Sequence, residues 1–125
     1  MAFDFTGKKV LVTGAGKGLG RAITLGLVKA GCTVYALDMV QEYLDTLTAE
    51  NCDIVPILQD LANWDETKAK LEQLEGLDGL VNNAAINIGL CPSLEETEGN
   101  MKTFMTVNVM AAINCIQVQS CALLN

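Results

Sequence analysis

The feature that most constrains the fold of this chain is a short apolar run that ends in a cluster of glycines. Residues 9–13 read Lys-Val-Leu-Val-Thr, and glycine then stands at every second position from 14 to 20. A helical pattern of apolar residues begins directly afterwards. A strand, a glycine turn and a helix in this order predict the start of a β-α-β unit, because glycine tolerates the sharp turn and close backbone approach that this junction needs.

The glycines also give the turn the ability to hold an anion. Gly14 can adopt the positive φ of a sharp turn, and Gly20 would let the helix pack close to the sheet. Phosphate oxygens can approach the backbone at Gly16 and Gly18, where the amides of the helix N-terminus carry partial positive charge. The competing interpretation is an ordinary glycine-rich turn. We predict that the pyrophosphate of a dinucleotide is bound by Gly14, Gly16, Lys17, Gly18, Leu19 and Gly20.

Length and composition indicate one domain that spans residues 1–125. Half of the 125 residues are apolar, which is enough for a core, and no apolar run approaches the length of a membrane span. The N-terminus lacks the basic region and long apolar stretch of a signal peptide. The formal net charge is −7, so we expect no nucleic-acid partner, because no basic field is present to neutralise phosphates.

The use of cysteine and histidine argues against a metal site. The five cysteines are scattered without Cys-x-x-Cys spacing, and the sequence contains no histidine. This composition disfavours a zinc site and any nucleophile that depends on histidine. We expect no bound metal, and we interpret the cysteines as reduced, buried thiols of a cytoplasmic protein.

The rest of the chain alternates predicted strands and helices. Further strands are predicted at 34–37, 54–58 and 80–82, and further helices at 41–50, 64–74 and about 100–123. The alternation predicts an α/β, Rossmann-type fold in which a parallel sheet of four strands carries helices on both faces. Right-handed crossovers favour the strand order 3-2-1-4, and Pro56 agrees because proline favours an edge strand.

Several local details are also predictions. Gly31 should end the first helix, and either Asn63 or Asp65 should cap the third, a choice that the residues leave open. A surface loop is expected at 86–93. The face of the first helix expected against the sheet comprises Leu19, Ala22, Ile23, Gly26, Leu27 and Ala30.

Asp38 ends the predicted second strand and is the first candidate for choosing a cofactor. A carboxylate there can accept hydrogen bonds from the adenosine ribose hydroxyls, and it would repel a 2′-phosphate, so it favours NAD(H). Lys17 in the turn acts in the opposite direction, because an ammonium group could pair with a 2′-phosphate and admit NADP(H). The alternative role for Asp38 is the N-cap of the second helix.

Polar residues also follow the third and fourth strands. Asp60, followed by Leu61, could accept a hydrogen bond from the exocyclic amine of adenine or could cap a helix. In the sequence Asn82-Asn83-Ala84-Ala85, small residues let the backbone approach a cofactor, while the amides can tie loops to strands. Asn108 lies alone in an apolar helix, where its composition alone predicts a buried, hydrogen-bonded asparagine.

Taken together in this order, these motifs resemble the N-terminal half of a short-chain dehydrogenase/reductase. Residues 8–21 are similar to the dicarbonyl/L-xylulose reductase branch of that family. The motifs that carry the resemblance are Thr13-Gly14-x-x-x-Gly18-x-Gly20, Asp60-Leu61, Asn82-Asn83-Ala84-Ala85 and Val107-Asn108-Val109.

The resemblance implies NAD(P)-dependent interconversion of carbonyls and alcohols, with a small carbonyl or polyol substrate and a homo-oligomeric enzyme. It implies cofactor-binding roles for Asp38, Asp60, Leu61, Asn83 and Ala84. It also gives Asn108 a catalytic role, in which the family's asparagine holds a structural water of the proton relay. The family's serine and Tyr-x-x-x-Lys are expected beyond position 125.

Two positions depart from the family pattern. Ala85 stands where the family usually has glycine after the fourth strand. The reductase branch uses NADP(H) and carries a basic residue just after the second strand, whereas this chain has Asp38-Met39.

Three functional hypotheses remain open at this point. The chain is the cofactor-binding half of an oxidoreductase and inactive alone, a nucleotide-binding or regulatory module that partners a full-length relative, or a remnant that no longer binds a nucleotide. The last predicted helix would expose apolar surface, which comprises Met101, Phe104, Met105, Val109, Ile113 and Ile116.

Overall fold

A computed structural model describes residues 4–87 and 95–123. Its strands are β1 (Lys9–Thr13), β2 (Thr33–Asp38), β3 (Ile54–Leu58) and β4 (Gly79–Val81). Its helices are α1 (Gly18–Lys29), α2 (Gln41–Thr48), α3 (Trp64–Leu71), α4 (Glu98–Met105) and α5 (Ala111–Leu123), with a π-helical turn at Thr106–Met110 between the last two.

The strands form one parallel sheet in the order β3-β2-β1-β4, which confirms the predicted Rossmann-type topology. Within the described residues β3 pairs only with β2, so Pro56 lies in an edge strand as expected. Proline is tolerated there because the missing amide hydrogen removes no bond to a second neighbour.

Each face of the sheet has its own apolar core. Val10, Val12, Val34 and Ala36 face α1 and α2 and pack with residues such as Leu47. On the opposite face, Leu11 and Leu37 pack with residues of α3 and α5, among them Leu71, Ala111 and Cys115. Alternate residues of β1 thus enter different cores, as the period of a strand requires, and both faces of the central strands are covered.

The face that α1 turns to the sheet matches the predicted one only in part, since Ile23 and Leu27 pack against the core as expected. The buried residues of α1 are Gly20, Thr24 and Val28, whereas Leu19 is 69% exposed and Gly26 is also exposed. The prediction followed apolar residues, but the close approach of the helix requires glycine at position 20. That requirement sets the rotation of α1 and turns Leu19 away from the core.

Several element boundaries also differ from the predicted ones. Helix α2 ends at Thr48, α3 ends at Leu71, and β4 ends before Asn82. Asn63, rather than Asp65, caps α3, because its Oδ1 accepts the Glu66 amide at 3.2 Å. Most of the loop predicted at 86–93 lies outside the described residues.

The final predicted helix is interrupted by a wider turn. Helix α4 begins at Glu98, where the Thr97 hydroxyl accepts the Asn100 amide at 3.1 Å. The π-helical turn then separates it from α5, and Asn108 lies within that turn. Single π turns in α-helices often mark functional sites, and a hydrophobic pattern cannot reveal them.

A polar contact joins the starts of β1 and β4. The Asp78 carboxylate accepts the Lys9 amide at 2.9 Å and the Lys8 ammonium group at 3.0 Å. The bonds from Lys9 and Lys8 lower the pKa of the Asp78 carboxyl from its ordinary value. This contact lies at the amino ends of the strands, opposite the glycine turn.

The described part of the chain contains no helix that is both long and apolar enough to cross a membrane. Among the described cysteines, Cys32 and Cys115 are buried free thiols, and Cys52 and Cys121 are exposed free thiols. The expectation of buried thiols therefore fits only some of them. Burial raises the pKa of Cys115 to about 11, so this group stays protonated near neutral pH.

The contact between α1 and the end of β1 gives the first testable prediction. A Cβ atom at Gly20 would overlap the Gly14 carbonyl oxygen and lie 2.5 Å from Asn83 Nδ2. We expect Gly20→Ala to force α1 off the sheet and lower the free energy of unfolding in urea by about 3 kcal/mol.

Gly26→Ala is the matched control, because a Cβ at Gly26 would meet nothing within 4 Å. This substitution in the same helix should raise the stability by about 0.5–1 kcal/mol through helix propensity. Equal effects of the two substitutions would contradict the proposed packing role of Gly20.

Candidate nucleotide-binding site

A cleft of about 450 Å³ opens at the carboxyl ends of the strands. It lies beside β1 and β4, whose following helices α1 and α5 pack on opposite faces of the sheet, and ligands bind at this position in open α/β sheets. Most predicted site residues line it, namely Gly14, Lys17, Gly18, Leu19, Asp38, Asp60, Leu61, Asn83 and Ala84. Three predicted residues, Gly16, Gly20 and Asn108, lie outside the described lining.

Sequence reasoning missed other residues of the cleft, namely Leu37, Met39, Tyr43, Gln59, Ile86 and Val107. Met39 and Tyr43 follow β2, and both stand near Asp38 in the chain. Their proximity to a predicted ribose contact was the available signal. The position of Gln59 beside Asp60 offered the same signal at the end of β3.

The glycine turn presents its open side to the cleft at Gly18. A Cβ at Gly18 would meet nothing within 4 Å, and its φ is +55°, which favours glycine. Among the described residues no side chain caps α1, and its first turn contains no acidic residue. The N-terminus of α1 therefore offers free amides and partial positive charge next to open space.

Gly16 is required for a reason that differs from the predicted one. Its Cβ would lie 2.5 Å from the Cβ of Tyr43 and 3.0 Å from Asp38 Oδ2. This glycine thus allows the turn to rest on α2, whereas the prediction assigned it to the approach of a phosphate.

Asp38 joins the end of β2 to the glycine turn. Its Oδ2 accepts the Gly16 amide at 2.9 Å, and its Oδ1 accepts the Val40 amide at 3.1 Å. The N-cap residue of α2 is Val40, and among the described residues no side chain caps that helix, so the predicted alternative of a cap at Asp38 is wrong. The carboxylate lines the cleft and has a structural partner as well.

Lys17 is the cationic residue of the turn. It is exposed, and its Nζ lies 6.0 Å from the centre of the Tyr43 ring. Both side chains line the cleft with Asp38. The rim beside the turn therefore carries one basic and one acidic group, and their opposed preferences for a 2′-phosphate meet in one place.

Hydrogen bonds to the backbone carbonyl of Asp60 fix the Asp60–Leu61 segment in place. The Asp60 oxygen accepts hydrogen bonds from Gln59 Nε2 at 2.9 Å, the Asn63 amide at 3.1 Å and Thr67 Oγ1 at 3.4 Å. The Asp60 carboxylate also accepts the Ala62 amide at 2.9 Å. These bonds fix the direction of the chain on the far side of the cleft.

Asn83 and Ala84 are joined to the turn through Thr13. The Thr13 hydroxyl oxygen accepts the amides of Asn83 and Ala84, each at 3.1 Å. Asn83 Nδ2 in return donates to the Thr13 and Gly14 carbonyls at 3.0 and 3.1 Å. These bonds hold the loop after β4 against the loop after β1, and the two loops form the floor of the cleft.

Asn108 connects the π-helical turn to the same loop. Its Oδ1 accepts the Ile86 amide at 2.7 Å, and its Nδ2 donates to the Ile86 carbonyl at 2.9 Å. Its neighbour Val107 and its partner Ile86 both line the cleft. The hydrogen bonding that composition alone predicted for Asn108 is therefore confirmed, with the backbone of a cleft residue as partner, but the side chain is only half-buried.

The cleft lies at the carboxyl ends of the parallel strands, and the family of the chain follows from its relatives. Residues 8–124 match the short chain dehydrogenase family, and the chain belongs to that family. L-xylulose reductase of Mus musculus is 41% identical over 118 residues, which cover 94% of this chain and 48% of the mouse protein. D-erythrulose reductase of Gallus gallus is 40% identical over 115 residues, which cover 92% and 46%.

A solved structure shows the same fold. A candidate NAD(P)-dependent gluconate 5-dehydrogenase from Beutenbergia cavernae, with NADP bound at low occupancy, superposes with a TM-score of 0.87 at 32% identity. The match covers 97% of this chain and 51% of the other. The chain thus spans about half the length of the relatives it matches.

The described residues contain no group of three or more histidine, cysteine, aspartate or glutamate side chains that could hold a metal ion. The polar side chains of the cleft, beside the backbone amides of the turn, are instead those of Lys17, Asp38, Tyr43, Gln59, Asp60 and Asn83. These groups suit a ligand with phosphates and hydroxyls.

The double hydrogen bond of Asn108 gives a second prediction. Asn108→Ala would leave both backbone groups of Ile86 without their partner, so we expect the free energy of unfolding to fall by about 2 kcal/mol. Amide exchange should speed up at Ile86. Asn82→Ala is the control, because Asn82 is exposed and makes one 3.3 Å bond to the Ala112 carbonyl. A loss as large in the control would contradict a specific role for Asn108.

Proposed function

We propose that residues 1–125 form the dinucleotide-binding domain of an NAD(P)-dependent oxidoreductase that interconverts small carbonyls and alcohols. The observation that carries the proposal is the uncapped N-terminus of α1, which opens next to Gly18 into a cleft rimmed by Asp38 and Asp60. The names of two relatives, L-xylulose reductase and D-erythrulose reductase, favour a small ketose substrate.

The residues of the cleft fit the parts of a dinucleotide. The open Cβ position at Gly18 leaves space beside the amides of α1, where a pyrophosphate would accept hydrogen bonds. Asp38 would accept from ribose hydroxyls, since each carboxylate oxygen retains a lone pair beyond its backbone bond. Asp60 would accept from the exocyclic amine of adenine.

The cofactor would supply hydride chemistry, and this chain supplies its binding and orientation. Asn108 holds the loop at Ile86, which lines the cleft, so it would orient the wall beside the reacting atoms. In the sequence, Tyr35 and Tyr43 are followed four positions later by Met39 and Leu47, so neither begins a Tyr-x-x-x-Lys. Residues 1–125 therefore bind the cofactor in this proposal without supplying the family's acid/base group.

The choice between cofactors gives a third prediction. Because Asp38 would repel a 2′-phosphate, we expect NADH to bind about tenfold more tightly than NADPH in calorimetric titrations. Asp38→Asn should reduce the preference for NADH over NADPH, because it removes the negative charge that would repel the 2′-phosphate. Asp78→Asn, at the other end of the sheet, should leave it unchanged. Tighter binding of NADPH by the unmodified chain would show that Lys17 outweighs Asp38.

The missing acid/base group gives a fourth prediction. The purified 125-residue chain should bind NADH but should not oxidise it in the presence of L-xylulose or a small dicarbonyl. The measurement is the loss of NADH absorbance compared with a sample without substrate. Substrate-dependent oxidation that Gly20→Ala abolishes would overturn the proposal that these residues are inactive alone.

One observation also fits a second candidate function, a nucleotide-binding or regulatory module that partners a full-length relative. Exposed apolar side chains follow one another along the final helical segments, namely Met101, Phe104, Met105, Val109, Met110, Ile113 and Ile116. A strip of this kind is typical of surfaces that another chain covers. A homo-oligomeric parent enzyme would cover it with a second copy, whereas the module would cover it with its partner.

A further inference from the structure

Hydrogen bonds hold the backbone of Gly16 at both its amide and its carbonyl group. Its amide donates to Asp38 Oδ2 at 2.9 Å, and its carbonyl accepts from Arg21 Nη1 at 3.4 Å. Its Cα faces Tyr43 so closely that no Cβ would fit. Gly16 is therefore the fixed point from which the exposed residues 17–19 extend along the cleft.

The Arg21 side chain bridges the turn and α2. Besides the Gly16 carbonyl, its guanidinium group donates to Thr46 Oγ1 at 3.2 Å and to the Thr46 carbonyl at 3.4 Å. It also forms an ion pair with Glu50, just beyond the end of α2. The Arg21 side chain is 26% exposed, so these contacts are partly shielded from water. A cation near the C-terminal carbonyls of a helix also suits the helix dipole.

We propose that Arg21 is a positioning residue that holds the phosphate-binding turn in the shape that a dinucleotide requires. Arg21 lies outside the described lining of the cleft, so it acts through Gly16 rather than by touching the ligand. Its effect on binding rests on the proposed function, whereas its effect on the turn does not.

The contacts at this position require the planar guanidinium group of arginine, which presents two nitrogen donors in a fixed geometry. One nitrogen, Nη1, reaches Gly16 and Thr46 while the other, Nη2, reaches Thr46 and Glu50. Lysine keeps the charge but carries a single ammonium group and cannot span these partners in one geometry. Arg21→Lys therefore separates positioning from a general effect of positive charge.

The experiment compares four proteins: the unmodified chain and its variants Arg21→Ala, Arg21→Lys and Lys8→Ala. Lys8→Ala is the matched control, because it removes a cation and its 3.0 Å ion pair with Asp78 at the opposite end of β1. The first readout is amide exchange without ligand at Ala15 and Gly16, whose amides donate to Leu37 and Asp38. The second is the Kd for NADH.

Both Arg21 variants should speed exchange at Ala15 and Gly16 about tenfold and raise the Kd for NADH about tenfold, while Lys8→Ala changes neither. Unchanged exchange in both variants would overturn the proposal, as would full recovery of exchange and binding in Arg21→Lys. Loss of structure in Arg21→Ala leaves Arg21→Lys to decide. Failure of the unmodified chain to bind NADH would count against the proposed function alone, since the exchange readout needs no ligand.

Discussion

The close packing of α1 on the end of β1 is the contact on which the rest of the site depends. Gly20 lets the first turn of the helix lie directly on the Gly14 carbonyl, next to Asn83. This contact fixes the position of α1 on the sheet. The N-terminal amides of α1 therefore face the space at the carboxyl ends of the strands. The bonds of Asn83 and Thr13 then bring the loop after β4 to the same place. One missing side chain thus decides where the cleft forms and which groups line it.

The architecture was largely predictable because it follows from patterns that are local in the sequence. Apolar runs separated by helical periods predicted the sheet order, and Pro56 correctly indicated the edge. The rotation of α1 was not predictable from hydrophobicity, because burial of Gly20 and Thr24 reflects the closeness of the helix and the sheet rather than apolar character. The π-helical turn at Asn108 was missed for a similar reason, since a one-residue change in period hardly disturbs an apolar pattern.

The residues around the cleft also divide into those that the sequence could predict and those that it could not. Those at strand ends, such as Asp38 and Asp60, could be predicted because parallel strands all end at one edge of a sheet. The contacts of Arg21 with Thr46 and Glu50 join residues 25 and 29 positions apart, and no periodic pattern connects them. The purpose of Gly16 was likewise hidden, because its requirement arises from Tyr43 on another helix.

The two bonds of Asp38 have a consequence for how the cofactor choice of such a chain can change during evolution. The same carboxylate would select the ribose and accept the Gly16 amide. Replacing Asp38 by a residue that can bind a 2′-phosphate would therefore also remove the hydrogen-bond acceptor of the Gly16 amide. A mutational route to the other cofactor would need a compensating acceptor for that amide first, so the order in which substitutions arise would matter. Under the proposed function, one substitution at Asp38 would change both the choice of cofactor and the support of the turn.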